Sequence, residues 1–213
     1  MEPVEAAARE ASRCRACDLW ANATQTVFGE WTATGDQSRP SAADPERGVM
    51  MLIGEQPGDV EDREGHPFVG PAGRLLDDVL GEAGVDRGAV YVTNAVKHFK
   101  WKPRGKRRIH DKPNRQEILA CRPWLEREID AVEPSVVVTL GATAAQSLLG
   151  SSFRITQVRG NVLHDTGVAP SLVPTIHPSA VLRAPDADTR KRMRAELTSD
   201  LRTAAAVLNS DPP

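Results

Sequence analysis

No run of eighteen apolar residues occurs in the 213-residue chain, so the sequence offers no candidate transmembrane helix. The start, Met1-Glu2-Pro3-Val4-Glu5, is acidic and leads into an Ala-rich helical pattern, whereas a secretory signal needs a basic start and an apolar stretch. Cysteine is scarce: three residues, an odd number, build no disulfide framework. In a reducing compartment, thiols at short spacing more often bind a metal or do redox work. A bacterial-type cytosol is the expected location. Internal repeats, low-complexity tracts and linker-like stretches are all missing, so the chain is expected to form one domain over 1–213, long enough for a sizeable core.

With 26% charged and 40% hydrophobic residues, the composition is that of an ordinary soluble globular protein. The formal charge of −2, taken alone, argues against a nucleic-acid partner. Its distribution does not. From Lys97 to Arg115 there are nine Lys or Arg and one acid, Asp111, a segment of +8 on a remainder of −10. A local positive field on an acidic body suits docking on phosphate, although a bare charge run is as often a solvated loop.

Helices and strands alternate along the chain. Residues 3–16 read as a helix, 18–47 as loop. Gly48–Gly54, Ala89–Val96, Pro134–Leu140 and Ser171–Ile176 are short apolar runs of the kind that form strands buried on both faces. Pro174 marks the last as an edge strand. Helical patterns occupy about 72–84, 114–132, 142–149 and 186–208. This alternation predicts a three-layer α/β/α domain around a central four-stranded parallel sheet. Ligands in such folds sit at the carboxyl ends of the strands. Four segments should therefore converge there: 55–70, 94–110, 141–144 and 177–183.

The first of these segments reads Gly54-Glu55-Gln56-Pro57-Gly58-Asp59, then Glu61-Asp62 and Gly65-His66-Pro67-Phe68-Val69-Gly70. Glycine and proline at this density fix a backbone path close to a ligand. Glu55 stands where a carboxylate could act on a reacting centre or cap a helix. Phe68 could stack on a flat base or anchor the loop. The last segment, His177-Pro178-Ser179-Ala180-Val181-Leu182-Arg183, offers an imidazole at a strand end and a possible wedge, Val181–Arg183, for a duplex that has lost a nucleotide.

Together these motifs, with Thr93-Asn94-Ala95-Val96-Lys97 between them, resemble the uracil-DNA glycosylase superfamily, specifically its iron–sulfur branch. The resemblance runs from Cys14 to Arg183. It implies a substrate of uracil-containing DNA, single-stranded or with a flipped base, and free uracil as product. It implies that Asn94 reads uracil O4 and N3–H through its side-chain amide, which has both donor and acceptor. Phe68 then stacks on the base, His177 supports O2 as charge develops, and Gly54, Gln56, Asp59 and Arg183 complete the binding site.

The branch uses four cysteines. Here Cys14-x-x-Cys17 and Cys121 supply three, and His98 stands where the family's third falls. The resemblance thus implies Cys14, Cys17, His98 and Cys121 as ligands of a 4Fe–4S cluster. Zinc would accept the same donors.

The stretch Arg104-Gly105-Lys106-Arg107-Arg108-Ile109-His110 resembles the insertion of the UdgX-type proteins, with which Gln56 and His98 agree. That similarity implies His110 as a nucleophile that bonds to C1′ of the deoxyribose once uracil has left, assisted by Glu55. Each protein molecule would act once. Lys106, Arg107, Arg108 and Ser179 are expected on DNA phosphates. Two other readings stand beside this one: an ordinary glycosylase in which Glu55 activates water, and a non-catalytic iron–sulfur module that binds damaged DNA. Nothing in the sequence demands more than a monomer.

Overall fold

The computed structural model describes residues 3–31, 48–87 and 90–208. The start of the chain at 1–2, most of the expected loop at 18–47 and the expected start of the second strand at Ala89 lie outside these. In chain order the elements are α1 (Pro3–Ala11), a 3-10 turn (Asp18–Ala21), β1 (Glu30–Trp31), β2 (Met50–Gly54), α2 (Asp59–Glu64), α3 (Pro71–Ala83), β3 (Val90–Asn94), β4 (Trp101–Arg104), β5 (Arg107–His110), α4 (Arg115–Val132), β6 (Val136–Leu140), α5 (Ala142–Leu149), α6 (Ile155–Val158), β7 (Ser171–Thr175), α7 (Pro178–Leu182) and α8 (Ala187–Leu208).

The four apolar runs are β2, β3, β6 and β7, mutually parallel and buried at every position. The full sheet order is β1-β3-β2-β6-β7. The short antiparallel strand β1 joins as a fifth member at one edge. At the other edge lies β7, which accommodates Pro174.

Side chains along β2 alternate between two cores, as strand geometry requires. Met50 and Leu52 pack with Leu76, Leu80, Leu197 and Leu201 from α3 and α8. Met51 and Ile53 pack with Leu125, Val132 and Ala144 from α4 and α5. The result is the expected three-layer α/β/α arrangement, with apolar strands because both faces are covered.

Three stretches expected to be irregular are ordered. The loop after β2 contains α2, which begins at Gly58 and stops at Gly65 in the left-handed region (φ 85°). The segment after β7 turns at once into α7. The basic insertion is a hairpin, β4–β5, that pairs Trp101 with His110 and Arg104 with Arg107 around Gly105 (φ 60°). Gly105 provides the positive φ that such a tight connection needs. No described helix is long and apolar enough to cross a membrane.

Candidate active site

At the carboxyl ends of the parallel strands lies a cavity of about 530 Å³. Of the residues singled out in the sequence, Glu55, Gln56, Phe68, Asn94, His110, His177, Ser179 and Arg183 line it. Gly54, Asp59, Lys106, Arg107 and Arg108 do not. Glu61, Lys112, Thr143 and Ile155 line it as well, and sequence reasoning had given none of them a role. Thr143 belongs to the Gly141–Ala144 segment expected at the cleft, where no chemistry-bearing pattern pointed to one side chain.

Glu55, just past β2, is the hub of the site. One carboxylate oxygen lies 3.1 Å from His110 Nε2. The other accepts the Thr143 hydroxyl. Burial by itself would raise the Glu55 carboxyl. The hydrogen bonds from His110 and Thr143, with the nearby imidazoles, outweigh it and hold the group below its usual range.

His177 faces Glu55 from the end of β7. The main-chain N–H of Ser179 donates to His177 Nδ1 at 3.1 Å, and Ser179 Oγ lies 2.8 Å from the same nitrogen. An amide N–H can only donate, so Nδ1 is bare and the neutral ring carries its hydrogen on Nε2. Burial pushes this imidazole down to about 4, Glu55 opposing and Arg183 and His110 adding to the effect. The ring is therefore neutral across the physiological range. Because the folded value lies below the ordinary one, the associated stability is present above about pH 6.5 and lost as pH falls towards 4. The His177 ring resonances should not move between about pH 5 and pH 7 in a proton NMR titration. A midpoint near 6.5 would show that the ring is not enclosed.

Phe68 and Asn94 line the same cavity and both lie beside Gly54. Phe68 has φ 58°, in the left-handed region, and its ring stacks on His177 with centroids 6.1 Å apart. A non-glycine residue held there is costly and is met at ligand sites. Gly54 explains how the two side chains fit: a Cβ on it would lie 2.3 Å from Asn94 Oδ1 and 2.7 Å from Phe68 Cζ. It leaves room for the Asn94 and Phe68 side chains and does not itself line the cavity.

The hairpin is tied down from both sides, and this changes the reading of three residues. Gln56 was expected to contact substrate. Its amide instead donates to the carbonyls of Lys100 (3.1 Å) and Asp111 (3.2 Å) and accepts the Lys100 N–H at 3.1 Å. It clasps the two ends of the hairpin that carries His110. Arg108 was expected on phosphate. It turns inward to Asp59, to Asp62 at 2.6 Å and to Thr24 Oγ1 at 3.2 Å, between the rings of Phe99 and Trp101. Asp62 is fully buried, so its charge demands a cation, and Arg108 supplies it. Asp59, expected at the substrate, is spent on the same guanidinium. Strand alternation then leaves Arg107 and Ile109 on the outer face while Arg108 and His110 face inward. Lys106 and Arg107 are exposed. In the expected wedge, Val181 is buried in the core at 1% exposure, which leaves Leu182 and Arg183 at the surface.

The four expected metal ligands come from three segments that approach one another. Cys14 and His98 line a second cavity of about 400 Å³. Cys17 packs against Cys121 through the cluster of Leu19 and Val96. Two thiols receive N–H donors: Trp124 Nε1–H reaches Cys14 Sγ at 3.1 Å, and the Lys97 N–H reaches Cys121 Sγ at 3.2 Å. His98 Nε2 lies 2.9 Å from Thr26 Oγ1. Among the described residues no three His, Cys, Asp or Glu side chains stand at the spacing that a single ion requires. Burial pushes the Cys121 thiol up to about 11.

Comparison with known proteins identifies the family of the fold. The model of the uracil DNA glycosylase superfamily matches residues 40–202. The chain is similar to the type-4 uracil-DNA glycosylase of Sulfurisphaera tokodaii, 36% identical over 193 residues, covering 87% of this chain and 79% of that protein. It is similar to the type-4 enzyme of Thermotoga maritima, 37% identical over 183 residues, with 85% and 84% covered. The type-4 enzyme of Archaeoglobus fulgidus is 32% identical over 219 aligned positions, with 100% and 97% covered. With its doubly covered parallel sheet and a cleft at the strand ends, the chain belongs to the uracil DNA glycosylase superfamily.

Proposed function

We propose that the protein takes a deoxyuridine out of DNA into the cavity, cleaves its N-glycosidic bond, and is captured on the sugar through His110. The observation that carries this reading is the 3.1 Å approach of His110 Nε2 to Glu55 Oε1 inside a cavity that also holds Asn94, Phe68 and His177.

In the pocket Phe68 stacks on the base, and the Asn94 amide donates to O4 and accepts from N3–H. Cytosine presents the opposite pattern at those atoms and is rejected. The His177 Nε2–H donates to O2. As the C1′–N1 bond breaks, its electron pair leaves with uracil, and His177 stabilises the charge growing on the ring. The sugar becomes oxocarbenium-like, with the Glu55 carboxylate beside it. A lone pair of the His110 imidazole then forms a C–N bond to C1′ ahead of water, because a held nucleophile has a large proximity advantage, and the ring releases its N–H proton, which balances the proton that the uracil anion takes up. Uracil is the free product. Gln56, Asp59 and Arg108 hold the hairpin so that His110 stays aimed. Lys106, Arg107, Ser179 and Arg183 contact phosphate, and Leu182 fills the gap left by the extruded nucleotide, which costs roughly a few kcal/mol to unstack.

Cys14, Cys17, His98 and Cys121 would hold a 4Fe–4S cluster, which when bound cross-links the N-terminal segment, the hairpin approach and α4 as a structural brace. The N–H donors on two of the thiols suit cluster sulfur ligands.

A Gly54→Ala variant should retain the fold but excise uracil roughly 10²-fold more slowly, since its methyl displaces both Asn94 and Phe68. A wild-type single-turnover rate would remove that contact from the pocket's design. The type-4 names of the relatives favour a second reading, hydrolytic turnover with water in place of His110. One gel decides between the two. The protein is mixed with a uracil oligonucleotide and a thymine control, boiled in SDS and run under denaturing conditions. A shifted band only with uracil supports capture. Alkali-labile DNA without a shifted band supports hydrolysis.

A further inference from the structure

One buried ion pair takes no part in the chemistry described above. Lys97 is 1% exposed and Glu128, on α4, is fully buried. The two form a salt bridge. Glu128 also accepts the Gly29 N–H at 2.8 Å, the Tyr91 hydroxyl at 2.9 Å and the Thr93 hydroxyl at 2.8 Å. The Lys97 ammonium has three hydrogens and uses each. They go to Glu128, to Thr93 Oγ1 at 2.7 Å and to the main-chain carbonyl of Asn94 at 2.6 Å. The Lys97 main-chain N–H is bound to Cys121 Sγ at 3.2 Å. The turn from Asn94 to Lys97 is therefore gripped at both ends.

A buried pair of this kind is a weak source of stability, since apolar side chains of equal volume do as well. What an apolar replacement could not do is hold the Asn94 carbonyl. That carbonyl belongs to the last residue of β3: the opposite edge of its peptide plane, the Ala95 N–H, donates to the Gly54 carbonyl at 2.9 Å, and the ammonium holds the carbonyl edge. The plane sets the direction in which the Asn94 side chain leaves the backbone.

We infer that Lys97, held by Glu128, is a positioning residue that aims the Asn94 amide and so sets the selectivity for uracil. This rests on Asn94 reading the base, as proposed above. Lys97 does not touch the base. It acts from beneath the pocket floor, through a charge-assisted hydrogen bond to a main-chain oxygen.

The test is the double substitution Lys97→Met/Glu128→Gln, which removes both charges at nearly constant volume and strands neither. Three quantities are measured on the folded protein: the Kd for free uracil by calorimetry, the Asn94 side-chain amide signals in a 15N spectrum, and affinity for uracil-free single-stranded DNA. We expect uracil to bind about tenfold more weakly, the Asn94 signals to shift, and DNA affinity to stay at the wild-type value. A lower Tm with unchanged uracil Kd and unchanged Asn94 signals overturns the inference and makes the pair merely structural. An Asn94→Ala control separates the two levels. If that variant binds free uracil like the wild type, base reading by Asn94 fails and this inference with it. If it loses uracil while the double variant does not, only the role of Lys97 fails. Should the double variant not fold, Thr93→Val removes one acceptor of the ammonium and keeps the charge pair. The same readouts then apply with smaller expected shifts, and wild-type values overturn the inference.

Discussion

His110→Ser is expected to abolish the SDS-stable complex with uracil DNA and to convert the protein into a multiple-turnover glycosylase. The groups proposed to break the glycosidic bond, Asn94, His177 and Glu55, are untouched by this change. What disappears is the imidazole that lies 3.1 Å from the Glu55 carboxylate, and the space it leaves opens to water. A held nucleophile enjoys an effective concentration of ~10⁵ M or more in favourable cases, far above that of water. Capture should therefore fall by at least about 10³-fold, while uracil accumulates beyond one equivalent per protein. The checks are the denaturing gel and a uracil-release time course on the same samples. A shifted band formed at the wild-type rate would put the nucleophile elsewhere. Lys112 is the lysine among the described lining residues, so it would be the next candidate. A linkage through its amine would be a Schiff base that borohydride traps.

Much of this site was legible because each strand end carries its own signature. Apolar runs bounded by Gly54 and Gly141 marked β2 and β6, and the order of the strands put the polar loops at one rim. Local pattern could not show how the cations divide their work. Lys97, Lys100, Lys102 and Arg108 all belong to the basic stretch, yet each has a carboxylate partner, in Glu128, Glu117, Asp111 and Asp62 respectively. Those partners lie on α4, on α2 and across the hairpin, and only the tertiary fold brings them near. A charge count therefore overstated the cation available to DNA. The hairpin was hidden for a related reason. Its strands are rich in Lys and Arg, lack the apolar alternation of a half-buried strand, and include Pro103. They are held by Gln56, Arg108 and the Trp101 Nε1–H on the Asn22 carbonyl at 2.9 Å. Gln56 shows the same limit from the other side. A motif places it in the pocket, and only the three-dimensional partners show that its amide faces the hairpin.

Glu55→Gln should lower single-turnover uracil excision by about 10²- to 10⁴-fold, the range for loss of a positioned ionisable group in a reacting site. The substitution keeps volume and removes charge. Glu55 accepts on both oxygens, from Thr143 and at His110, whereas a glutamine presents one oxygen and one donor. Two roles could produce the loss, and a second background separates them. If the carboxylate stabilises the sugar cation, adding Glu55→Gln to His110→Ser costs the same factor again in uracil release. If it only aims the imidazole, its removal costs nothing once the imidazole is gone. We expect the first outcome. The hydrogen bonds from His110 and Thr143 hold the carboxyl below its usual range against the opposing effect of burial, so it is the ionised form that faces the sugar at neutral pH. A fixed negative charge in an enclosed cavity acts strongly on a cation forming beside it. Glu55 is then an electrostatic catalyst that His110 exploits, and the order of events follows: the cation forms first, because Glu55 is there with or without the histidine, and His110 decides only what it becomes.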